Sequence, residues 1–280
     1  MFGSTSSNTN TMYSIRDRLL SIEDVNLSFG DKVVLRNVTG SIYDIVGHGQ
    51  IVGLLGPSGI GKTQLFRVLA GLLAPTSGRV LINATNDIVR AGDVGVVAQH
   101  YPLFAHMTVA QNLDFARKKS KLDRKGALDK FNMLIERFKL IEYLSMYPVQ
   151  LSGGTRQRVS IAQQMLCSEH FLLMDEPFSG LDPIMNDEVC SLMSEVADMD
   201  ELNTIIVITH DLRSAIKVAD TLWLLGRDRA VDGSGAIVPG AYIKKTYDVA
   251  AAGLAWHKDI SKTSEFLQFS TEVKEEFLNL

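Results

Sequence analysis

Gly56-Pro57-Ser58-Gly59-Ile60-Gly61-Lys62-Thr63 reads G-x-x-x-x-G-K-T, the spacing of a loop that wraps the phosphates of a nucleoside triphosphate. In such a loop successive backbone N–H groups point inward at the anion, and the helix that follows presents its positive end. The glycines at 56, 59 and 61 allow the close approach and the unusual backbone angles this needs. Lys62 reaches the β- and γ-phosphates, and the Thr63 hydroxyl is offered to Mg²⁺. Four fixed positions arise by chance in about one per cent of chains this long, so the flanking sequence has to decide. Residues 50–55, QIVGLL, read as a short buried strand. Residues 64–70, QLFRVLA, read as a helix with an apolar face that stops near Gly71. Strand, loop and helix in that order are the setting the motif requires, and they predict an α/β fold.

The bulk numbers fit a globular chain of one large domain or two small ones: 280 residues, 46% hydrophobic, 21% charged. A net charge of −4 gives no whole-chain basic bias, so nucleic acid is not an expected partner. Cys167 and Cys190 sit in apolar or helical surroundings and are expected to pack rather than to pair, as in a reducing compartment. No apolar run approaches the roughly 18 residues that span a bilayer. The Ser/Thr/Asn-rich start has no apolar h-region, so no secretory signal is read there, and residues 1–12 are expected to be disordered. A cytosolic location follows, with attachment to a membrane through a partner left open.

Residues 20–35 read as two strands joined by a turn at Phe29-Gly30-Asp31-Lys32, with strand continuing over 33–44 and a turn at 46–49. Residues 78–82 and 94–97 are further short strands. From Thr108, a plausible N-cap, to about Gln164 the chain turns helical. Residues 127–144 read as one helix with a core stripe of Phe131, Leu134, Ile135 and Phe138. The basic run 117–121 reads as a solvated helix end or loop. Residues 171–174 and 204–208 are continuous apolar runs, the mark of parallel strands buried on both faces. Residues 184–199 between them are helical, 221–225 is another strand, 243–246 a closing strand, and 264–278 an amphipathic helix with Phe266, Leu267, Phe269, Val273 and Phe277 on its apolar side.

Asp175 and Glu176 end one of those apolar strands, where open α/β sheets place their ligands. There Asp175 can orient Mg²⁺ and Glu176 can take a proton from an attacking water. A plain strand-ending acidic pair is the alternative; the phosphate loop upstream favours the catalytic one. Leu151-Ser152-Gly153-Gly154 precedes a helix read to start near Arg156, with Ser152 as cap and two glycines exposing N–H groups: a second anion-binding helix start. If two copies pair head to tail, each nucleotide lies between one chain's loop and the other's Ser152, Gly153 and Gly154.

This ordered set resembles the ATP-binding-cassette ATPases, the nucleotide-binding subunits of transporters, over roughly residues 20–226. The pieces are the phosphate loop, Gln99, residues 151–154, the strand and acids 171–176, Ser179-Gly180-Leu181-Asp182 and Thr209-His210. The resemblance implies a parallel-sheet core, a small antiparallel β subdomain and an inserted helical subdomain at about 102–165, within an ATPase domain of residues 13–235 followed by an extension of 236–280. It implies roles as well: Gln99 senses Mg²⁺ and links the site to a membrane partner, His210 contacts the γ-phosphate, and Asp182 communicates across a dimer. Phe29 lies against adenine, Gln64 follows the loop at the nucleotide, and Ser152 and Gly154 touch the partner copy's nucleotide. It further implies ATP and Mg²⁺ as ligands, a homodimer or pseudo-dimer, integral membrane permease subunits, an extracytoplasmic solute-binding protein, and a place on the inner face of the cell membrane. The output it implies first is ATP hydrolysis coupled to solute import through the membrane subunits; cassettes that drive lipid movement or envelope machinery, and soluble repair or translation cassettes, are the alternatives. Two departures stand out. Thr155 occupies the signature position where the family has glutamine, and residues 38–50 exceed the usual connection, which blurs the strand register. The run Gly253-Leu254-Ala255-Trp256-His257 is similar to tails of nitrate/sulfonate-type importer subunits.

Overall fold

Two long strands, β1 (Ile15–Phe29) and β2 (Lys32–Ile45), form a hairpin whose turn is made by Gly30 at φ +56°. The computed structural model describes residues 14–82, 86–168, 170–230, 236–256 and 260–280; the expected disordered tail at 1–12 and His257 lie outside them. The extra length at 38–50 is absorbed by β2 running on to Ile45, and the β1–β2 pairing carries several register shifts. Strand β3 (Gln50–Leu55) is buried at every residue, and the loop after it feeds α1 (Lys62–Leu69), which stops at Ala70 and the positive-φ Gly71. β4 (Ser77–Ile82) and the two-residue β5 (Asp87–Ile88), which has no sequence signal, complete an antiparallel sheet of order β2-β1-β4-β5.

The second sheet is built from β3, β6 (Gly95–Val97), β7 (Phe171–Asp175), β8 (Thr204–Thr209), β9 (Thr221–Gly226) and β10 (Tyr242–Asp248), in the order β10-β9-β3-β8-β7-β6. Its neighbours pair in parallel except for β10 on β9, which is antiparallel. Burial on both faces explains why the central strands read as unbroken apolar runs.

Helices α2 (Val109–Arg117), α3 (Arg124–Arg137), α4 (Gly153–Cys167) and α5 (Pro183–Ala197) share a core with β7 and β8. Thr108 caps α2 in a full capping box with Gln111. Asn112, buried in α2, donates to the carbonyls of Phe104, Met107 and Thr108 and accepts from the Phe104 N–H, so it ties the preceding loop to the helix. The expected helix over 127–144 ends instead at Arg137. Lys139 enters the left-handed region at φ +53°, and the Leu140 N–H closes back on the Ile135 carbonyl, which terminates the helix despite its continuing apolar pattern. The stripe Leu134, Ile135 and Phe138 is core, with Phe131 packed against it. Helix α4 begins at Gly153, earlier than read, because Ser152 is its cap. Cys167 and Cys190 are unpaired.

A third core joins β3 and β9 to α6 (Leu212–Val218) and α7 (Ser264–Leu278). In α7, Phe266 and Val273 are buried and Phe269 and Phe277 pack beside them, but Leu267 is 59% exposed and faces away from this core. Asp220, 2% exposed, pins the start of this region. Its carboxylate accepts the Ile51 N–H at the base of β3, and its carbonyl accepts the N–H groups of Val249 and Ala250.

Burial pushes the Asp220 carboxyl up to about 8, against the hydrogen bond from Ile51 and helped by the charges of Asp198 and Asp248. An unfolded aspartate releases its proton near about pH 4. Between those values the folded chain holds the extra proton, so stability falls as pH rises toward 8 and then levels off. Asp220→Asn is expected to remove that decline. Thermal midpoints recorded at about pH 5 and about pH 8 should converge in the variant relative to the unmodified chain.

Candidate functional site

The phosphate loop is shaped by contacts a side chain would destroy. Gly61, the N-cap of α1, sits at φ +123°, and a Cβ there would meet Val34 and Leu35 of β2 at 3.2 and 3.3 Å. A Cβ on Gly56 would meet the Leu225 carbonyl of β9 at 2.9 Å. The loop is therefore wedged between the hairpin and the end of the parallel sheet. Arg227, just past β9, donates to the Ile60 carbonyl, and Ile60 is buried while Ser58 and Gly59 are exposed. Among the described residues the N–H groups of Gly61, Lys62 and Thr63 meet no protein acceptor, whereas those of Gln64 and Leu65 bond the Gly61 carbonyl. Three donors in a row at an uncapped helix start make an anion cradle.

Lys62 is buried, and its ammonium donates to the carbonyls of Gly56 at 2.7 Å and Pro57 at 3.2 Å. Burial lowers its pKa, opposed by the carboxylates of Glu176 and Asp175. Asp175 at the end of β7 is raised by burial and by the charge of Glu176, and held back by Lys62. One cation and two carboxylates thus share a partly dry site. Pro57 contributes its carbonyl, Thr63 is exposed on the first turn, and the Gln64 Oε1 is buried without a hydrogen-bond partner.

Glu176 is held through both its main chain and its side chain. Its backbone is in the left-handed region at φ +49°, and its N–H bonds the Ile208 carbonyl of β8 at 2.7 Å. Its Oε2 accepts from the Thr209 hydroxyl at 3.0 Å and the His210 N–H at 3.4 Å, and its Oε1 lies 2.9 Å from His210 Nδ1. Parallel pairing of β7 and β8 is what brings residues 33 and 34 positions apart into contact. His210 is otherwise exposed, and Asp211 beside it caps α6 and joins Ser214 and Asn186.

Gln99 is exposed in the turn two residues past Val97, the register partner of Met174, as Glu176 is two past Met174. Tyr101, at φ +48°, donates its hydroxyl to the Pro177 carbonyl at 3.2 Å and ties that turn to the Glu176 segment; burial pushes its pKa up to about 12. Phe29 is exposed at the tip of the hairpin that buttresses Gly61.

Ser152, Gly153 and Gly154 stand at the start of α4, and among the described residues no hydrogen bond joins them to the loop of residues 56–63. Ser152 Oγ accepts from the Thr155 N–H at 3.1 Å and lies 2.8 Å from the Thr155 hydroxyl. Gly154 faces Met185 of α5, and the wall between α4 and α5 borders a cavity of about 450 Å³. Asp182 caps α5 through the N–H groups of Ile184 and Met185. One chain therefore brings together the loop, Asp175, Glu176 and His210, while Ser152 and Asp182 are engaged as the caps of α4 and α5. Thr209 and Tyr101 were not singled out as site residues in the sequence. Thr209 had a signal, its place beside His210; Tyr101 had none.

A family model described as ABC transporter matches residues 40–179, half of the chain. The sulfate/thiosulfate import ATP-binding protein CysA of Gloeobacter violaceus is 36% identical over 74% of this chain and 60% of its own length. The corresponding protein of Pectobacterium atrosepticum is 38% identical over 74% and 64%. A probable sulfate/thiosulfate import ATP-binding protein CysA of Chlorella vulgaris is 37% identical over 75% of this chain and 88% of its own length. The chain thus spans about three fifths of the length of most of these curated relatives. Among solved structures, cbiO1 from Clostridium perfringens, part of the ABC transporter complex cbiONQ, covers 95% of the chain with a TM-score of 0.68 at 21% identity. An ATP-binding subunit of an ABC transporter covers 90% with a TM-score of 0.64 at 23% identity; both likenesses concern the fold. The loop geometry, the strand order and these matches agree, and the chain belongs to the ABC transporter family as one of its ATP-binding members.

Proposed function

We propose that this chain is the ATP-hydrolysing subunit of a solute importer, acting as a pair of copies beneath membrane permease subunits. The observation that carries the reading is the fixing of Glu176 by Thr209 and His210 beside the cradle of residues 56–63. The relatives are import ATP-binding proteins, so sulfate and thiosulfate are the first solutes to test.

In this reading the loop amides and Lys62 hold the β- and γ-phosphates, and Phe29 lies on the adenine. Glu176 takes a proton from water as that oxygen bonds the γ-phosphorus and the bond to ADP breaks. His210, with Nδ1 engaged by Glu176, turns its other ring nitrogen to the γ-phosphate. The donor set fits Mg²⁺: the Thr63 hydroxyl, the Gln99 amide and Asp175, whose carboxylate has no hydrogen-bond partner among the described residues, are hard oxygen ligands. When bound, the ion neutralises phosphate charge and aligns the γ-phosphate for displacement.

The partner copy supplies Ser152, Gly153 and Gly154 to the same nucleotide, with Asp182 at the seam. Among the described residues no hydrogen bond ties Ser152–Gly154 to the loop of the same chain, which leaves this helix start open to a second copy's nucleotide. No helix of the described residues is long and apolar enough to cross a membrane. Phe104, five residues past Gln99 in the chain, and Phe115 of α2 are exposed, and their rings meet edge to face at 5.1 Å. In this reading they meet the permease on the inner face of the cell membrane, and an extracytoplasmic solute-binding protein delivers the solute.

Specific ATPase activity of the purified chain is expected to rise with protein concentration, as a two-copy site requires. Ser152→Ala should cut turnover about tenfold or more while leaving the nucleotide affinity of the single chain within about twofold. Turnover independent of concentration, or a Ser152→Ala chain that loses single-chain affinity, overturns the shared site.

A further inference from the structure

Thr209 is fully buried at the end of β8 and touches no surface from which a nucleotide could reach it. Its Oγ1 accepts the Asp211 N–H at 3.0 Å, and its one other partner among the described residues is Glu176 Oε2 at 3.0 Å. A buried hydroxyl must place its hydrogen on an acceptor, so the Thr209 O–H donates to Oε2. That oxygen also receives the His210 N–H at 3.4 Å. A carboxylate oxygen offers about two lone-pair sites, and both on Oε2 are then taken. Among the described residues Oε1 has the single contact with His210 Nδ1 and keeps one site open.

We infer that Thr209 is a positioning residue for the reaction: its hydroxyl holds the Glu176 carboxylate in one orientation and leaves Oε1 as the oxygen that receives the proton from water. The inference rests on Glu176 being the base of the proposed function. The backbone around Glu176 is consistent with a group held against its own preferences. A non-glycine residue at φ +49° carries a conformational cost, and the bond to the Ile208 carbonyl offsets it. Main chain and side chain of Glu176 are thus both fastened to the last three residues of one neighbouring segment, 208–210. Loss of the Thr209 hydroxyl frees the carboxylate to rotate and presents either oxygen, or neither, to the water.

The test compares Thr209→Val, which keeps shape and loses the hydroxyl, with Thr209→Ser, which keeps it. Thr209→Val is expected to lower kcat about tenfold with KM and nucleotide affinity within about twofold, because the hydroxyl acts only on the alignment of the base. Retained affinity for a fluorescent ATP analogue shows that the variant is folded. Thr209→Ser should stay within about twofold of the unmodified chain. In a Glu176→Gln background, Thr209→Val should cause no further loss of the residual turnover. Unchanged kcat in a nucleotide-binding Thr209→Val chain overturns the inference alone, as does a further tenfold loss in the Glu176→Gln background. An unmodified chain that binds ATP and never hydrolyses it, with or without its permease, overturns the inference together with the proposed function.

Discussion

Glu176→Gln is expected to lower ATP turnover by at least about 100-fold while ATP affinity stays within about threefold. Removing a general base costs on the order of 10²–10⁴ in rate. Glutamine preserves the size of the side chain and can still accept from the Thr209 hydroxyl and the His210 N–H, so the fold of the site survives. What is lost is the proton acceptor. The affinity is spared because nucleotide binding draws on the loop amides and Lys62, which come from another part of the chain. The chain should then accumulate with ATP bound and, in the two-copy reading, stay closed as a dimer. Steady-state turnover, equilibrium nucleotide binding and size-exclusion chromatography with ATP check the three parts. Normal turnover would remove Glu176 from its role.

The second large effect belongs to Lys62. Lys62→Ala is expected to weaken ATP binding about 100-fold or more, since hydrogen bonds to charged groups are worth roughly 1.5–3 kcal/mol each and the ammonium can make more than one to the phosphates. Its surroundings make the change selective. Burial already disfavours its charged form, so removing that charge relieves a desolvation cost and does not threaten the fold. Only the aliphatic stem is missed, and Lys62→Met, which retains it, separates the two contributions. Both variants should melt close to the unmodified chain and both should lose ATP. A Lys62→Met chain that binds ATP normally would show that the loop amides alone hold the phosphates.

The comparison of these two residues shows where sequence reading succeeds. Lys62 was legible because its loop is local: eight consecutive residues, a strand before and a helix after, whose roles follow from glycine geometry and chain order. The buried parallel strands were legible because burial on both faces leaves an unbroken apolar run. Capping at Thr108 and Ser152 was legible because it depends on a few neighbouring residues. The break at Arg137 was not, since a left-handed Lys139 leaves no compositional mark, and neither was the exposure of Leu267, since helical spacing alone does not say which edge of an apolar stripe meets the body.

By itself the chain of residues determined an α/β framework with a phosphate loop, an acidic strand end and a second capped glycine pair, because each rests on contacts within a few positions. Only the tertiary structure decided that Thr209 and His210 grip Glu176, and that the hairpin and β9 press on the loop. Those relations depend on which strands lie side by side and in what register. That choice is made by burial summed over the whole sheet, and no short stretch of sequence carries it.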